Sequence, residues 1–460
     1  MGVNLRAGNE GLQPGEARLM QNIIYRGGTR LRTGCARVNS ASYGAYAIRG
    51  GTKYYFGGAA PQKERLIAYN SNISSIDDLG AETILNSGMT PDLMTYFRTW
   101  SITDSVYISN GVDTLRKYDG NTTTFSTIGG TNPPVIRGRV VPVLDRMLGI
   151  TTNGIERTDP RVDNVWSSNS SWATLRPQTP GLFTALYPTS IKGTDTIYPG
   201  ALAFQERGFY LITGTDYGDD VTQATASQGE NVAIQLIDPT VGTSSPNGIC
   251  SVPGVGTFWF TTDLNVFWIP EGSLHGIYVG DKLQSTVSTP GIEATNQIAL
   301  DKVWMEYFDN YLMLGIPMST NQYVSQQWWL DIRALRGSEP TPVWYGPMDT
   351  QHITTVWVEN QQGDNFLMGG EGDVDREAWV YQMRVTGKFD DDVADDELPV
   401  TGVYHTYFKD FGSSSREKYV QAVHFDINEY EGDVTVDIKT LTEDLATAVL
   451  VQAIPPDVPA

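Results

Sequence analysis

Residues 105–128 read SVYISNGVDTLRKYDGNTTTFSTI, and the punctuation of this stretch decides the fold class. Residues 105–109 are β-branched, aromatic or small, and Asn110-Gly111 tolerates the positive φ angles of a tight turn. Residues 114–118 resume an extended pattern, and Asp119-Gly120 turns the chain again before residues 122–128. The spacing predicts a three-strand antiparallel meander.

The same wording recurs in both directions along the chain. Residues 54–56 and 66–69 flank Gly57-Gly58, residues 147–150 lead through Asn153-Gly154 to 155–157, and Val165, Trp166 and Trp172 follow. Further pairs are 200–204 with 208–212, 257–262 with 266–269, and 310–316 with 327–331 and 343–345. Units that return about every 40 to 50 residues without a strict consensus are the signature of β-propeller blades. From Gly34 to Gly370 that period predicts a closed ring of roughly six to eight blades. An array of β-sandwiches is the competing all-β architecture, because it also yields short strands at regular spacing. Helical periodicity is confined to residues 15–24, where Leu19, Met20, Ile23 and Ile24 suit either a short helix or an extended arm.

Three regions follow: an N-terminal arm over 1–38, a propeller over 39–372 and a C-terminal antiparallel sheet over 373–460. Residues 403–408, 418–428 and 433–440 read as strands, the last alternating Val434, Val436 and Ile438 with polar residues. The arm and this sheet are expected to join as a small antiparallel β platform beside the ring, since each has too few strands to bury both faces alone. Residues 453–460, with Pro455, Pro456 and Pro459, read as a loose tail.

Composition bounds the function. In 460 residues there are 32 Lys+Arg and 53 Asp+Glu, a net charge of -21, which disfavours gripping a phosphate backbone. No apolar run is long enough to cross a bilayer and no signal-peptide core opens the chain, so a soluble protein without membrane attachment is expected. Cys35 and Cys250 are too few for a disulfide framework or a structural zinc site. The charge is uneven. The first 50 residues carry Arg6, Arg18, Arg26, Arg30, Arg32, Arg37 and Arg49 against Glu10 and Glu16, whereas Asp390, Asp391, Asp392, Asp395, Asp396 and Glu397 crowd one late segment.

Catalytic constellations are hard to assemble from this text. His275, His352, His405 and His424 are the only histidines, none in metal-ligand spacing, although His405 and His424 could meet across strands. No nucleophile elbow, phosphate loop or dinucleotide fingerprint stands in its proper context. A propeller glycosidase would need paired central acids, for which Asp263, Asp301, Asp309 and Asp349 are candidates, though each also suits a turn. Residues 167–172 (SSNSSW) lack the aspartate and glycine of a sialidase Asp-box, and residues 373–377 (DVDRE) lack the glycine of a calcium loop. Trp259, Trp268, Trp304, Trp328, Trp329, Trp344 and Trp357 lie in or beside strands, where rings pack blades together unless one is exposed to stack on sugar.

Several segments, in order, resemble the β-propeller tail nozzle (tubular tail) proteins of short-tailed bacteriophages. Residues 12–37 (LQPGEARLMQNIIYRGGTRLRTGCAR) are similar to that family's entry segment, and 106–125 (VYISNGVDTLRKYDGNTTTF) to one of its blades. Residues 146–172, 205–213, 248–269 and 309–317 continue the order, and 409–437 resemble its C-terminal sheet. The resemblance implies a virion protein without enzymatic activity or cofactor, assembled in the host cytoplasm. It implies a hexameric ring below the portal or adaptor, in contact with tail fibre proteins, with double-stranded DNA passing through unbound. The six acidic residues Asp390, Asp391, Asp392, Asp395, Asp396 and Glu397 are the expected lining of that conduit, where like charge would let DNA slide. The alternatives are a carbohydrate-binding or glycan-cleaving propeller and an isolated interaction scaffold, since propellers also serve purely as binding platforms.

Overall fold

The computed structural model describes residues 2–6, 16–25, 29–57, 62–120, 126–128, 134–143, 145–158, 161–166, 175–192, 197–213, 233–285, 291–337, 340–348, 352–361, 363–372, 377–385, 390–393, 396–400, 403–406, 434–442 and 445–454. The chain divides into two compact units, Met1–Phe408 and Lys409–Ala460. Among the described residues helix is limited to short 3-10 turns such as Gln297–Lys302, and no helix is long and apolar enough to cross a membrane.

The first unit is a seven-bladed propeller. Seven antiparallel sheets follow one another along the chain, and each begins with the strand nearest the axis: Ile48–Phe56, Tyr96–Trp100, Arg137–Val143, Ala185–Lys192, Ile249–Val252, Trp304–Phe308 and Ile353–Gln361. Most neighbouring innermost strands touch, and the last of them packs against the first. The hydrophobic core is accordingly a circle of inter-blade layers. Blades 1 and 2 share Phe56, Leu66 and Ile108, and blades 2 and 3 share Tyr107, Val140 and Trp166. Blades 3 and 4 share Leu148 and Tyr210, and blades 4 and 5 enclose Phe204 and Trp259. One large layer spans blades 5, 6 and 7, and blades 7 and 1 close over Ile48, Ile67 and Trp357. A circular series of layers removes exposed sheet edges from the ring interior, which two stacked sheets would not do.

The ends of the chain complete two blades. Ala36–Arg37 is the fourth strand of blade 7, with Arg37 opposite Tyr381 and Ala36 opposite Gln382. The Val38 amide donates to the Val380 carbonyl at 2.8 Å, and the Val380 amide to Asn39 Oδ1 at 2.7 Å. Blade 7 thus includes Ala36–Arg37 and Val380–Met383, which lie on either side of the expected 39–372 span.

Glu16–Gln21 is extended, so the helical option for this segment is set aside. It pairs with Val403–Thr406 and with Gly2–Val3, and Met20 meets Gly346 of blade 6. The expected platform is present in part: of the C-terminal region only Val403–Thr406 joins the arm, Gly2–Val3 pairs in parallel rather than antiparallel, and the sheet is continuous with blade 6 as seven strands rather than free-standing. In the second unit Val434–Thr442 and Leu445–Ile454 form a hairpin, which carries the predicted alternation and replaces part of the expected tail with strand. Residues 409–433, which hold most of the resemblance to a nozzle C-terminal sheet, lie outside the described residues.

The opening meander is also refined. Ser105–Ser109 pairs with Arg116–Tyr118, but Asn110-Gly111 is not a two-residue hairpin. Asn110 Oδ1 accepts the amides of Val112 and Asp113, Gly111 holds φ 84°, and a longer loop results.

Candidate functional site

Three innermost strands carry an arginine among largely apolar residues: Arg49, Arg98 and Arg139. In blade 1, Gly50 lets the strand press against blade 2, because a Cβ there would collide with the Thr95 carbonyl oxygen. The Thr95 amide donates to the Arg49 carbonyl at 2.9 Å and fixes the start of the strand. Arg49 is only 8% exposed, and Asp92 and Asp301 act on it electrostatically. Asp301 belongs to blade 6, so Arg49 reaches across from blade 1 toward the approach to the sixth innermost strand.

In blade 2, Tyr96 and Arg98 share one face of their strand at i and i+2. Arg139 of blade 3 acts on both, and Asp301 acts on Tyr96. In blade 3, Gly138 sits at φ 68° within the irregular register between Arg137 and Val141, and its carbonyl accepts the Ser109 hydroxyl at 2.6 Å. A bulge of this kind redirects the following side chain. Arg139 Nη2 donates to Asn247 Oδ1 at 2.7 Å, at the entrance to blade 5.

Glu306 completes the set from blade 6. Its Oε1 accepts the Tyr307 amide at 3.2 Å, and it lies within electrostatic range of Arg139 and Cys250. A pair drawn from blades 3 and 6 can interact only across the middle of the ring. Protein atoms surround the carboxyl, although a water-sized sphere still reaches part of the residue. Burial pushes its pKa up to about 7 against the opposing pull of Arg139. Burial also holds Arg49 and Arg98 below the ordinary guanidinium value, aided at Arg98 by Arg139, and raises the Cys250 thiol well above the usual range. Chemically the axis offers forked cations, a phenol and a carboxyl that exchanges a proton near neutrality. The Cys250 thiol is protonated and inert.

A second polar cluster closes the ring between blades 7 and 1. Arg65 donates two hydrogen bonds to Glu359, Lys53 Nζ lies 3.2 Å from Oε2, and the Trp357 indole donates to Oε1 at 2.9 Å. All four side chains are buried, which marks a structural role.

The residues expected to matter are dispersed. Asp391 is buried and accepts hydrogen bonds from Arg32 and the Cys35 amide, so its carboxylate ties the arm to the hairpin formed by Asp390–Val393 and Asp396–Pro399. Asp390, Asp392, Asp396 and Glu397 are placed by their backbone alone, and Asp395 lies outside the described residues. Of the four central-acid candidates, Asp301 is exposed on the 3-10 turn before blade 6 and acts electrostatically on Arg49, Asp263 accepts the Tyr278 hydroxyl, Asp309 pairs with Arg384 at 3.0 Å, and Asp349 is outside the described residues. His275 is exposed, His352 stacks on Tyr323, His405 is placed by backbone only, and His424 lies outside the described residues, as do 167–172 and 373–376. All seven tryptophans singled out from the sequence are buried, with at most 8% exposure among the buried set, so none presents an open face for sugar. No group of three or more candidate metal ligands occurs among the described residues. Arg49, Arg98, Arg139 and Glu306 escaped notice as a group. The available signal was a charged residue inside the first strand of a blade, in IRGG, YFRTW, RGRVV and WMEYF.

No protein-family model and no curated protein matches this sequence. Among solved structures, the chain is similar to a catalytically inactive virginiamycin B lyase from Staphylococcus aureus with quinupristin. Identity is 11%, the TM-score is 0.45, and the match covers 76% of this chain and 99% of that one. The AfRom2 CNH domain matches at 10% identity and TM-score 0.40, over 76% of this chain and 99% of that one. PorZ, a surface component of the type-IX secretion system of Porphyromonas gingivalis, matches at 10% identity and TM-score 0.40, over 77% of this chain and 40% of that one. These likenesses concern the fold alone.

Proposed function

We propose that this chain is a structural subunit of the tail nozzle of a short-tailed bacteriophage, one segment of the conduit through which the genome is held and released. The observation that carries the reading is the pairing of Glu16–Gln21 with Val403–Thr406 on the flank of blade 6. A propeller that only binds or turns over a ligand needs a closed ring, whereas here both ends of the ring-forming unit build additional sheet outside it. Such a sheet suits a building block that bears on neighbouring subunits, and the ordered resemblance of segments to nozzle proteins points the same way. The net charge of -21 suits a wall past which DNA moves without sticking.

On this reading the protein acts in the virion as a hexamer, between a portal or adaptor and the tail fibres, and turns over no substrate. Head-to-tail contacts would close the ring, one surface of each protomer complementing a different surface of the next. The acidic hairpin would line the conduit through Asp390, Asp392, Asp395, Asp396 and Glu397, with Asp391 anchoring it to Arg32. Mass measurement of the chain in solution and on particles tests the proposal, alongside hydrolase assays on polysaccharides. Recovery at about six copies per particle supports it, and a glycan-cleaving monomer overturns it.

A glycan-cleaving propeller is the second reading, favoured by Glu306, whose carboxyl is suited to donate a proton near neutrality. It requires a second carboxylate within about 5 to 10 Å of the first; the nearest acid in sequence, Asp309, is held by Arg384 at 3.0 Å, which leaves Asp301, five residues before Glu306, as the candidate on the same blade.

A further inference from the structure

We infer that the propeller axis is a binding site for a small oxyanion, held between the guanidinium groups of Arg98 and Arg139 with Arg49 at the adjoining mouth. The inference is independent of a role in a tail, because it rests on groups inside a single protomer.

Three observations carry it. Arg49 is more than nine-tenths buried, yet its Nε and Nη1 have no hydrogen-bond partner, and Arg98 Nε is likewise buried without one. Buried cationic donors are costly when no acceptor faces them, and Arg49 and Arg98 stand on the innermost strands of neighbouring blades. Secondly, Arg98 and Arg139 lie within electrostatic range of each other, so like charges stand together, with Glu306 as the carboxyl acting on Arg139. An oxyanion between them would accept from the Arg98 Nε and add counter-charge to that of Glu306. Thirdly, the positions are built rather than incidental: Gly50 seats Arg49 against Thr95, the Gly138 bulge redirects Arg139, and Asn247 steadies its head group at 2.7 Å.

The surroundings limit the ligand. Asp92 and Asp301 balance Arg49 and Lys302 at the mouth, while Glu306 is the carboxyl within reach of Arg139 deeper in the ring. Tyr96 and Tyr187 add phenols to the same space. Arginine forks fit the paired oxygens of carboxylates and phosphates, so the ligand class is a compact carboxylate or phosphate rather than a polymer. Glu306 would repel long polyanions, and its neutral form could donate to one ligand oxygen.

The test is isothermal titration of the full chain with inorganic phosphate and, separately, with malonate, at constant ionic strength. The two arms distinguish a phosphate site from a carboxylate site. Saturable binding of either anion is expected at millimolar concentration. Arg98→Met and Arg139→Met should each weaken it by at least about tenfold, Arg98→Lys should weaken it less, and Lys117→Met should leave it unchanged. Absence of saturable binding in the unaltered protein, or equal affinity in Arg98→Met and Arg139→Met, would overturn the inference. Should an arginine variant fail to fold, the melting temperature of the unaltered chain decides. A rise with phosphate or malonate beyond that given by matched chloride supports the site, and no rise with either refutes it.

Discussion

Arg65 and Glu359 stand 294 residues apart in the chain and share two hydrogen bonds, Nε to Oε1 at 2.6 Å and Nη2 to Oε2 at 2.8 Å. Arg65 lies on the second strand of blade 1 and Glu359 on the innermost strand of blade 7, so this fork joins the first blade to the last. Lys53 and the Trp357 indole also bond to this carboxylate. Such a buried cluster is weak evidence of net stability, but removing one member leaves charges that nothing balances.

Glu359→Gln should therefore lower the unfolding free energy of the propeller by about 3 to 5 kcal/mol, by leaving Arg65 buried without its carboxylate, while Lys53 keeps Asp78 at 3.7 Å. Denaturant unfolding followed by tryptophan fluorescence measures this. Adding Arg65→Met to Glu359→Gln should recover part of the loss, and strictly additive losses would show that the two residues do not act as a pair.

The two axial and closing carboxyls should give opposite pH dependences. Burial alone would raise the Glu359 carboxyl, but Arg65, the Trp357 indole and Lys53 outweigh it and hold the pKa below the ordinary value. Its contribution is complete above the unfolded value of about 4.3 and is lost as pH falls through the lower folded value. Glu306 is the reverse case. Its folded pKa of about 7 means that stability is fully present below the unfolded value and declines as pH rises through the folded one. The groups bearing on it are Arg139, Cys250, Tyr187 and the Tyr307 amide. Thermal unfolding between about pH 5 and pH 8 should show a decline worth on the order of 2 kcal/mol, which Glu306→Gln removes.

Asn39 holds the closing strand through a buried side-chain hydrogen bond. It is buried, its Oδ1 accepts the Val380 amide at 2.7 Å, and its Nδ2 donates to the Ala41 carbonyl at 2.5 Å. Asn39→Ala should cost about 1 to 3 kcal/mol by orphaning that buried amide. Hydrogen exchange should localise the change, with faster exchange in Val380–Met383 than in blade 3.

Gly51 tests the packing of the same junction from the apolar side. A Cβ at this position would collide with the Trp357 ring, which is buried between blades 7 and 1. Gly51→Ala should destabilise by about 1 to 3 kcal/mol through overpacking. Gly363→Ala is a poor control despite its open surroundings, because Gly363 holds φ 97°, whereas a change at an exposed residue such as Arg336→Met should cost little.

The fold was legible because turn residues punctuate nearly every strand, as at Gly154 and around Leu264, whose positive φ angles end one strand and begin the next. The number of blades was not. Blade 7 takes a strand from residues 36–37, and blade 6 is extended by residues from both ends of its unit, pairings with no local signature. The axial arginines were hidden for a related reason. Arg98 in YFRTW reads the same whether its strand turns that face to solvent or to the centre of a ring, and only closure decides. Asp391 shows the converse: within an acidic run that reads as solvated, one carboxylate is buried because Arg32 lies far away in sequence and close in space.

The central claim is that this chain is a repeated building block at the tail of a virus particle. Single-particle imaging of particles labelled with an antibody to the propeller tests it most directly. The account predicts label confined to the tail vertex and a six-fold ring of propellers in the averaged density. Particles without label, together with a stable monomer whose cleavage of polysaccharide is lost in Glu306→Gln, would contradict it.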